Sequence, residues 1–541
     1  MKNNNVGIND KLFYCNNSIL LKSSSKNPIS DFSYNLLCNL IQDKVLQNAS
    51  GKKILISYQG NPKFYSIVEK INYFFKNHKH IIYNYDSKIS TDPTLDELAF
   101  KKAKLDYFIK IISHQNDTNL TFKIYNQTLN YIYGENLEKV ANLFNENIKN
   151  QSENFEIKKV HDLNLVDANN LIQEQASKSE ILRAFINVKP RYKSKNLIIT
   201  QDTYSQELLN NLLTNYDSKF ICRPFDLKTR WILMINKLFN KSYTIKNLYQ
   251  SLIKVNDYSN LKINLLIDRK LVSLNTNQVV LIYLDFFLEE LKRSKTVNLK
   301  DLFVLVSPNA SYQVLELLKQ YNVKYYFANS KALSSVINHE KCIFAYSYDK
   351  INANPRYSHI FNSYYFIVCL IWMLNSYVNR NNLLSFKNDK LIENFGKVIF
   401  KTKEVSFNYE NISSLVKHFI NTYKKSKTYD LINVFKFWSD NKYVLLKLIN
   451  STRKHTTILT YDFINDKLII EHQLCSEYNQ NDIPYFLDYS RIKKYINKSI
   501  KQINKQNKVN KKKPVKVLNT PLTEVLTQSE TVDMKEGTNN D

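Results

Sequence analysis

Few residues in this chain have the type and spacing that chemistry needs, and they fall into four short clusters. Ser113 and His114 stand side by side at the end of an apolar run, residues 107–112. A serine hydroxyl is a weak nucleophile until a base or prior phosphorylation activates it; the same pair also suits an ordinary loop at a strand end. Asp268 and Arg269 close a second apolar run. Such a pair suits a surface ion pair. Lys447, Ser451, Thr452 and Arg453 place cations and hydroxyls in and after a third run, where they could hold an anion or decorate a solvated hairpin tip. The fourth cluster is simply basic. Residues 491–516 hold 11 Lys and Arg and no acid, whereas 517–541 hold one Lys and five acids.

Composition removes several function classes. The chain has 541 residues but six glycines, where a usage of about 7% would supply roughly 38. Glycine-rich phosphate loops need residues that tolerate positive φ and close backbone approach, and neither GxGxxG nor GxxxxGK[ST] occurs. The six cysteines are far apart, with no CxxC and no Cys-His cluster, so neither a disulfide framework nor a zinc site is indicated and a reducing compartment is expected. The N-terminus shows no apolar core of a signal peptide. The longest apolar run, residues 364–374, is well short of the roughly 20 residues a span requires. A soluble, cytoplasmic protein with no membrane span is the expectation. The 76 Lys and Arg exceed the 49 Asp and Glu by 27, a balance that attracts phosphorylated ligands or nucleic acid. Abundant Lys, Asn, Ile and Tyr together are also what AT-rich codons produce, and a solvated surface accommodates them.

The clusters must be positioned by the elements around them. Residues 53–58 read as a buried strand, 61–76 as a helix, 80–85 as a strand, 95–104 as a helix and 106–112 as the strand that delivers Ser113. The alternation restarts at 196–200, with a helix at 206–214 and a strand at 219–222. It restarts again at 301–306, with a helix at 312–321 and a strand at 323–327. Residues 364–374 read as a buried helix. The last block differs: a helix at 412–425, then β-rich runs at 431–438, 443–449 and 457–461, the first two joined by a hairpin turn at 439–441. Ile492, Ile496, Ile500 and Ile503 recur on one face of a basic amphipathic helix over 491–508, expected to pack on that last block. Polar residues follow, and disorder is expected there.

In this order, four segments resemble the signature regions of the α-D-phosphohexomutases, the phosphoglucomutase/phosphomannomutase superfamily. Pro93-Thr94-Leu95, the strand running into Ser113-His114-Gln115-Asn116, and Phe122-Lys123-Ile124-Tyr125-Asn126 resemble the family's Thr-Pro, Thr-Ala-Ser-His-Asn-Pro and Gly-(Ile/Tyr)-Lys-Val-Tyr. Asn264-Leu265-Leu266-Ile267-Asp268-Arg269 resembles Asp-x-Asp-x-Asp-Arg, with only Asp268 and Arg269 kept, and Asn275-Thr276-Asn277-Gln278 resembles the Thr-Gly-Asn-(Glu/Gln) that follows. Phe344-Ala345-Tyr346-Ser347-Tyr348-Asp349 resembles the sugar loop Phe-Ala-Phe-Glu-Glu-Ser without its glutamates, and Leu391 to Gly396 resembles the Leu…Tyr-Gly beyond it. Tyr443-Val444-Leu445-Leu446-Lys447 and Asn450-Ser451-Thr452-Arg453 resemble Trp-Val-Leu-Leu-Arg and the phosphate loop Arg-Pro-Ser-Gly-Thr-Glu-Pro.

The resemblance implies an α/β protein of four-domain phosphohexomutase-like architecture, with three similar αβα domains and a smaller α+β C-terminal domain around a central cleft. The implied domains are 1–165, 166–276, 277–398 and 399–490, followed by a basic helix and tail at 491–541. It implies that Ser113 is the phosphorylated catalytic serine with His114 beside it, and that Mg²⁺, if the protein is active, sits between Ser113 and Asp268. Arg269, Lys447, Ser451, Thr452 and Arg453 would hold the substrate phosphate, and a hexose phosphate would be the partner. Family members move phosphate between C1 and C6 of a hexose. Here two of three metal carboxylates are Asn264 and Leu266, and no glycine lies in the four loops, so catalysis is expected to be weakened or lost and a cofactor to be dispensable. The alternatives are a non-catalytic relative that holds a sugar phosphate or a partner protein, and a nucleic-acid binder acting through 491–516, a segment that suits an acidic partner equally.

Overall fold

The first run to bury itself completely is Lys53–Gln59, in which six consecutive side chains leave solvent. Such a run can only be an interior strand covered on both faces. A computed structural model describes residues 10–23, 29–60, 65–85, 93–114, 118–148, 163–167, 170–171, 192–200, 203–214, 219–224, 249–257, 260–268, 270–294, 297–329, 332–333, 339–353, 355, 363–380, 384–423, 429–439, 442–476 and 483–510. The chain forms two units, Met1–Thr276 with Ser330–Leu384, and Asn277–Asn329 with Ser385–Asp541.

The first unit opens with β1 (Lys11–Tyr14), β2 (Ile19–Lys22), α1 (Asp31–Lys44), β3 (Lys53–Gln59), α2 (Ser66–Asn77), β4 (Ile81–Tyr85), α3 (Pro93–Ala103), β5 (Tyr107–His114), β6 (Asn119–Tyr125), α4 (Glu135–Asn147) and β7 (Asn164–Val166). The strands form one sheet in the order β1-β2-β6-β5-β3-β4-β7. The pairs β5–β3, β3–β4 and β4–β7 are parallel, whereas β1–β2, β2–β6 and β6–β5 are antiparallel. Ile54, Ile56, Ile109 and Ile111 pack with Leu37, Ile41, Ile71, Phe75, Val140 and Phe144 of the helices in one core. Ser30 caps α1 by accepting from the Ser33 amide, which fixes where the chain turns into the helix.

A second sheet follows in the same unit: β8 (Lys195–Thr200), α5 (Thr203–Thr214), β9 (Lys219–Pro224), β10 (Ser251–Asp257), β11 (Asn260–Ile267) and β12 (Lys270–Leu274), ordered β12-β11-β10-β8-β9. Its β8, β9 and β10 are parallel, and β10, β11 and β12 form an antiparallel meander.

Helix α6 (Thr276–Ser294) leads into β13 (Phe303–Val306), α7 (Tyr312–Gln320) and β14 (Lys324–Phe327); β13 and β14 pair in parallel in the second unit. The chain then returns to the first unit for the hairpin β15 (Cys342–Ser347) and β16 (Lys350–Asn352) and for α8 (Ser363–Asn379). The apolar run 364–374 is buried within α8 as its composition requires, and α8 is tied to the start of β8, where the Ser194 amide and hydroxyl both donate to Asn375 Oδ1 at 2.7 Å. Among the described residues no helix is long and apolar enough to cross a membrane.

The second unit ends with α9 (Leu384–Phe395), β17 (Lys397–Ser406), α10 (Ile412–Thr422), β18 (Leu431–Ser439), β19 (Lys442–Asn450), β20 (His455–Asp462), β21 (Lys467–Ser476) and α11 (Ile483–Asn510). The strands form an antiparallel sheet ordered β17-β21-β20-β19-β18. Apolar runs locate three of these five strands. The other two, β17 and β21, alternate with polar residues, and their ten-residue pairing supplies what hydropathy does not show. Ile492, Ile496, Ile500 and Ile503 are buried, as their spacing predicts.

Candidate functional site

Ser113 and His114 are the last residues of β5, opposite Leu120 and Asn119 of β6. Strand alternation turns them to opposite faces. On the Ser113 side the chain makes a close approach: a Cβ built on Gly60, the residue after β3, would stand 2.7 Å from Ser113 Cβ and 2.7 Å from Tyr58 Oη. No candidate loop carries its own glycine, but this one is served by a glycine from a neighbouring strand end.

On the His114 side, the ring Nε2 lies 2.9 Å from Thr121 Oγ1. The same face carries Lys110 directly opposite Lys123, and both are buried. Two ammonium groups on adjacent strands repel unless compensated. Lys110 donates to Asp96, a fully buried carboxylate in α3 that also accepts from Tyr85 Oη at 2.8 Å. Lys123 lies over the ring of Tyr131, 5.6 Å from its centroid.

The Asp268 segment is a tight hairpin. Ile267 pairs with Lys270, leaving a two-residue turn in which exposed Asp268 takes φ +49°, a left-handed conformation that Asp tolerates. Asn264 and Leu266 stay inside β11, paired with Ser273 and Leu271. Arg269 lies outside the described residues. One carboxylate, one amide and one hydrocarbon do not fit Mg²⁺, which requires near-octahedral hard oxygens. Among the described residues no group of three His, Cys, Asp or Glu could hold a metal ion. The sugar-loop segment is likewise a hairpin, with Ser347 paired to Lys350 and Tyr348 at φ +52°. Such a conformation is costly for a bulky side chain.

Lys447 is placed apart from the residues expected to share its ligand. It sits in the middle of β19, buried, and its Nζ donates to the Ala310 carbonyl at 3.3 Å. Loss of hydration pulls its pKa down to about 8. Ser451, Thr452 and Arg453 are gathered in the exposed turn between β19 and β20, the nearest of them about 13 Å along the strand from Lys447. The Ser451 amide and hydroxyl both donate to Asp430, at 3.0 and 3.2 Å, and the Arg453 amide donates to Asn450 Oδ1 at 3.0 Å. A carboxylate thus occupies the donors an incoming phosphate would need. Lys447 instead belongs to a polar joint between the 307–311 segment and the sheet: Asn309 Nδ2 donates to Glu471 at 3.0 Å and Gln473 Nε2 donates to the Asn309 carbonyl at 2.7 Å.

Comparison with solved structures decides the architecture. A phosphoglucomutase/phosphomannomutase family protein from Burkholderia thailandensis superposes with a TM-score of 0.59 over 92% of this chain and 97% of its own, at 10% identity. Paramecium pp63/parafusin, a phosphoglucomutase, superposes with a TM-score of 0.57 over 88% and 91%, at 8% identity. The fold is that of the phosphohexomutases. No protein-family model matches the sequence, and no curated protein matches it either. The likeness thus lies in the pattern of strands and helices and not in the side chains.

Three features escaped the motif comparison. The Asp96–Lys110 pair left one trace, a lysine inside the apolar run 107–112. Gly60 left none beyond being one of six glycines, and Asp430 none at all, because its role depends on a turn formed 21 residues later.

Proposed function

We propose that this is a phosphohexomutase-like protein that still binds a hexose phosphate near the Ser113 end of its first sheet but has lost metal-assisted phosphoryl transfer. One observation carries the second half. The segment that should offer three carboxylates is a β-hairpin with a single carboxylate in its turn, so the transferring phosphoryl group would lack the cation that must stabilise its charge. The converted anion turn at Ser451 points the same way. Support for retained binding comes from the first sheet, where Ser113 ends β5 in close approach to Gly60 at the end of β3. In this reading Ser113 is a polar contact for the sugar phosphate rather than a phosphoryl carrier, while His114, turned to the other face and bonded to Thr121 Oγ1, holds the strand end in place.

Thermal-shift titration of the full chain tests it. A hexose 6-phosphate should raise the melting temperature where the unphosphorylated hexose does not, and Ser113→Ala should reduce the shift without abolishing it. Indifference to every hexose phosphate would remove the binding half. A phosphorylated Ser113 peptide in the purified protein would remove the loss of catalysis.

A further inference from the structure

From the exposed face of α11 we infer that the C-terminal domain carries a docking ridge for a nucleic-acid duplex, held through its phosphate backbone. Arg491, Lys494, Lys498, Lys501 and Lys505 are all exposed. Their spacing of 3, 4, 3 and 4 residues drifts only about 20° per seven residues, so the five charges run nearly straight along the helix. At about 1.5 Å per residue the row is roughly 21 Å long. Ile492, Ile496, Ile500 and Ile503 occupy the opposite side and are buried in the domain.

The helix is fixed, which makes the row a built surface rather than a loose tail. Tyr495 packs edge-on against Phe419 of α10 at 5.9 Å and lies 6.1 Å from Tyr429, and its hydroxyl is 3.1 Å from Thr422 Oγ1. Tyr489 meets His472 of β21 at 5.5 Å. Lys403 of β17 donates to Asn497 at 2.6 Å, and sheet register puts Lys401 on that same face. No acid stands between 491 and 516, and α10 has none either.

The chemistry of the row selects the partner. An interfacial membrane helix needs its apolar side free to enter lipid, and here that side is spent inside the protein. Single-stranded nucleic acid is held by stacking bases on exposed rings, and Tyr489 and Tyr495 are engaged inward. What is left is an ordered line of cations, which suits the evenly spaced phosphates of a duplex and would bind it without reading sequence.

The test is fluorescence anisotropy of a labelled duplex of about 20 base pairs with the full chain, at salt concentrations from about 50 to about 200 mM, over which counterion release weakens phosphate contacts steeply. Binding should weaken steeply with salt. A variant carrying Lys494→Gln, Lys498→Gln, Lys501→Gln and Lys505→Gln should lose at least roughly tenfold in affinity, and its log–log salt slope should shrink by about 3 to 4, near 0.9 per phosphate contact. Circular dichroism and melting of the variant should match the parent. An unchanged slope in the folded variant, no binding at low salt, or tighter capture of phosphatidylserine vesicles or poly-glutamate than of the duplex would each overturn the assignment.

Discussion

The Asp430 carboxylate accepts from the Ser451 amide at 3.0 Å and from the Ser451 hydroxyl at 3.2 Å, so a side chain of the protein already uses the donors of that turn. Removing it should reopen the turn. In Asp430→Ala, the Ser451 amide resonance should move on titration with inorganic phosphate, whereas in the parent it should stay still. Stability should change little, by about 0.5–1 kcal/mol, because both partners are exposed. A Ser451 amide that responds to phosphate equally in both proteins would show that Asp430 is not the occupant.

Lys447 gives a pH signature of opposite sign to a surface lysine. Its folded pKa of about 8 lies below its ordinary 10.5, so between those values the unfolded chain binds more protons than the folded one, and stability rises with pH across that window. The shift corresponds to about 3 kcal/mol at neutral pH. Lys447→Met should therefore flatten the rise between pH 8 and about 10 and should stabilise the second unit at pH 7 by about 1–3 kcal/mol. Hydrogen exchange of β19 and β20 as a function of pH reads both effects, and an unaltered slope in the variant contradicts the assignment.

His472 should act on the acid side. It is buried, shares a hydrogen bond with Thr457 Oγ1 at 2.8 Å, and burial pulls its pKa from 6.5 to about 4, with Lys403 and Lys493 adding to the effect. As pH falls through 6.5 the unfolded chain gains a proton the folded chain refuses, so stability declines down to pH 4, by about 3 kcal/mol in all. His472→Gln should remove most of that decline in the exchange rates of β20 and β21.

Apolar runs and their order were enough to read the α/β blocks, the strand that carries Ser113, the buried helix at 364–374 and the isoleucine face of α11. They were not enough for β1, β2, β17 and β21, where short or alternating strands owe their place to partners far along the chain. The candidate site divides in the same way. Ser113 and His114 lie together at the end of β5, where their neighbours put them. The apolar run 443–449 puts Lys447 inside a strand and Ser451 after it, but only cross-strand pairing decides that Lys447 turns into the domain. Asp268 likewise looks like a ligand in a linear motif and like turn chemistry once Ile267 is seen paired with Lys270.

Three substitutions probe the first sheet. Lys110→Met leaves Asp96 charged and buried with Tyr85 Oη as its remaining partner among the described residues, and should cost about 3–5 kcal/mol; adding Asp96→Leu should recover most of that loss. Gly60→Ala brings a methyl to 2.7 Å from Ser113 Cβ and should cost about 1–3 kcal/mol while displacing the serine. Melting curves give the stabilities, and a fully tolerated Gly60→Ala would mean that β3 and β5 do not approach as described.

Phosphorus NMR of a hexose 1-phosphate incubated with the full chain, Mg²⁺ and a hexose 1,6-bisphosphate bears most directly on whether this chain performs phosphohexomutase chemistry. The 1-phosphate resonance should persist unchanged. Growth of a 6-phosphate resonance that disappears in Ser113→Ala would contradict the loss of phosphoryl transfer.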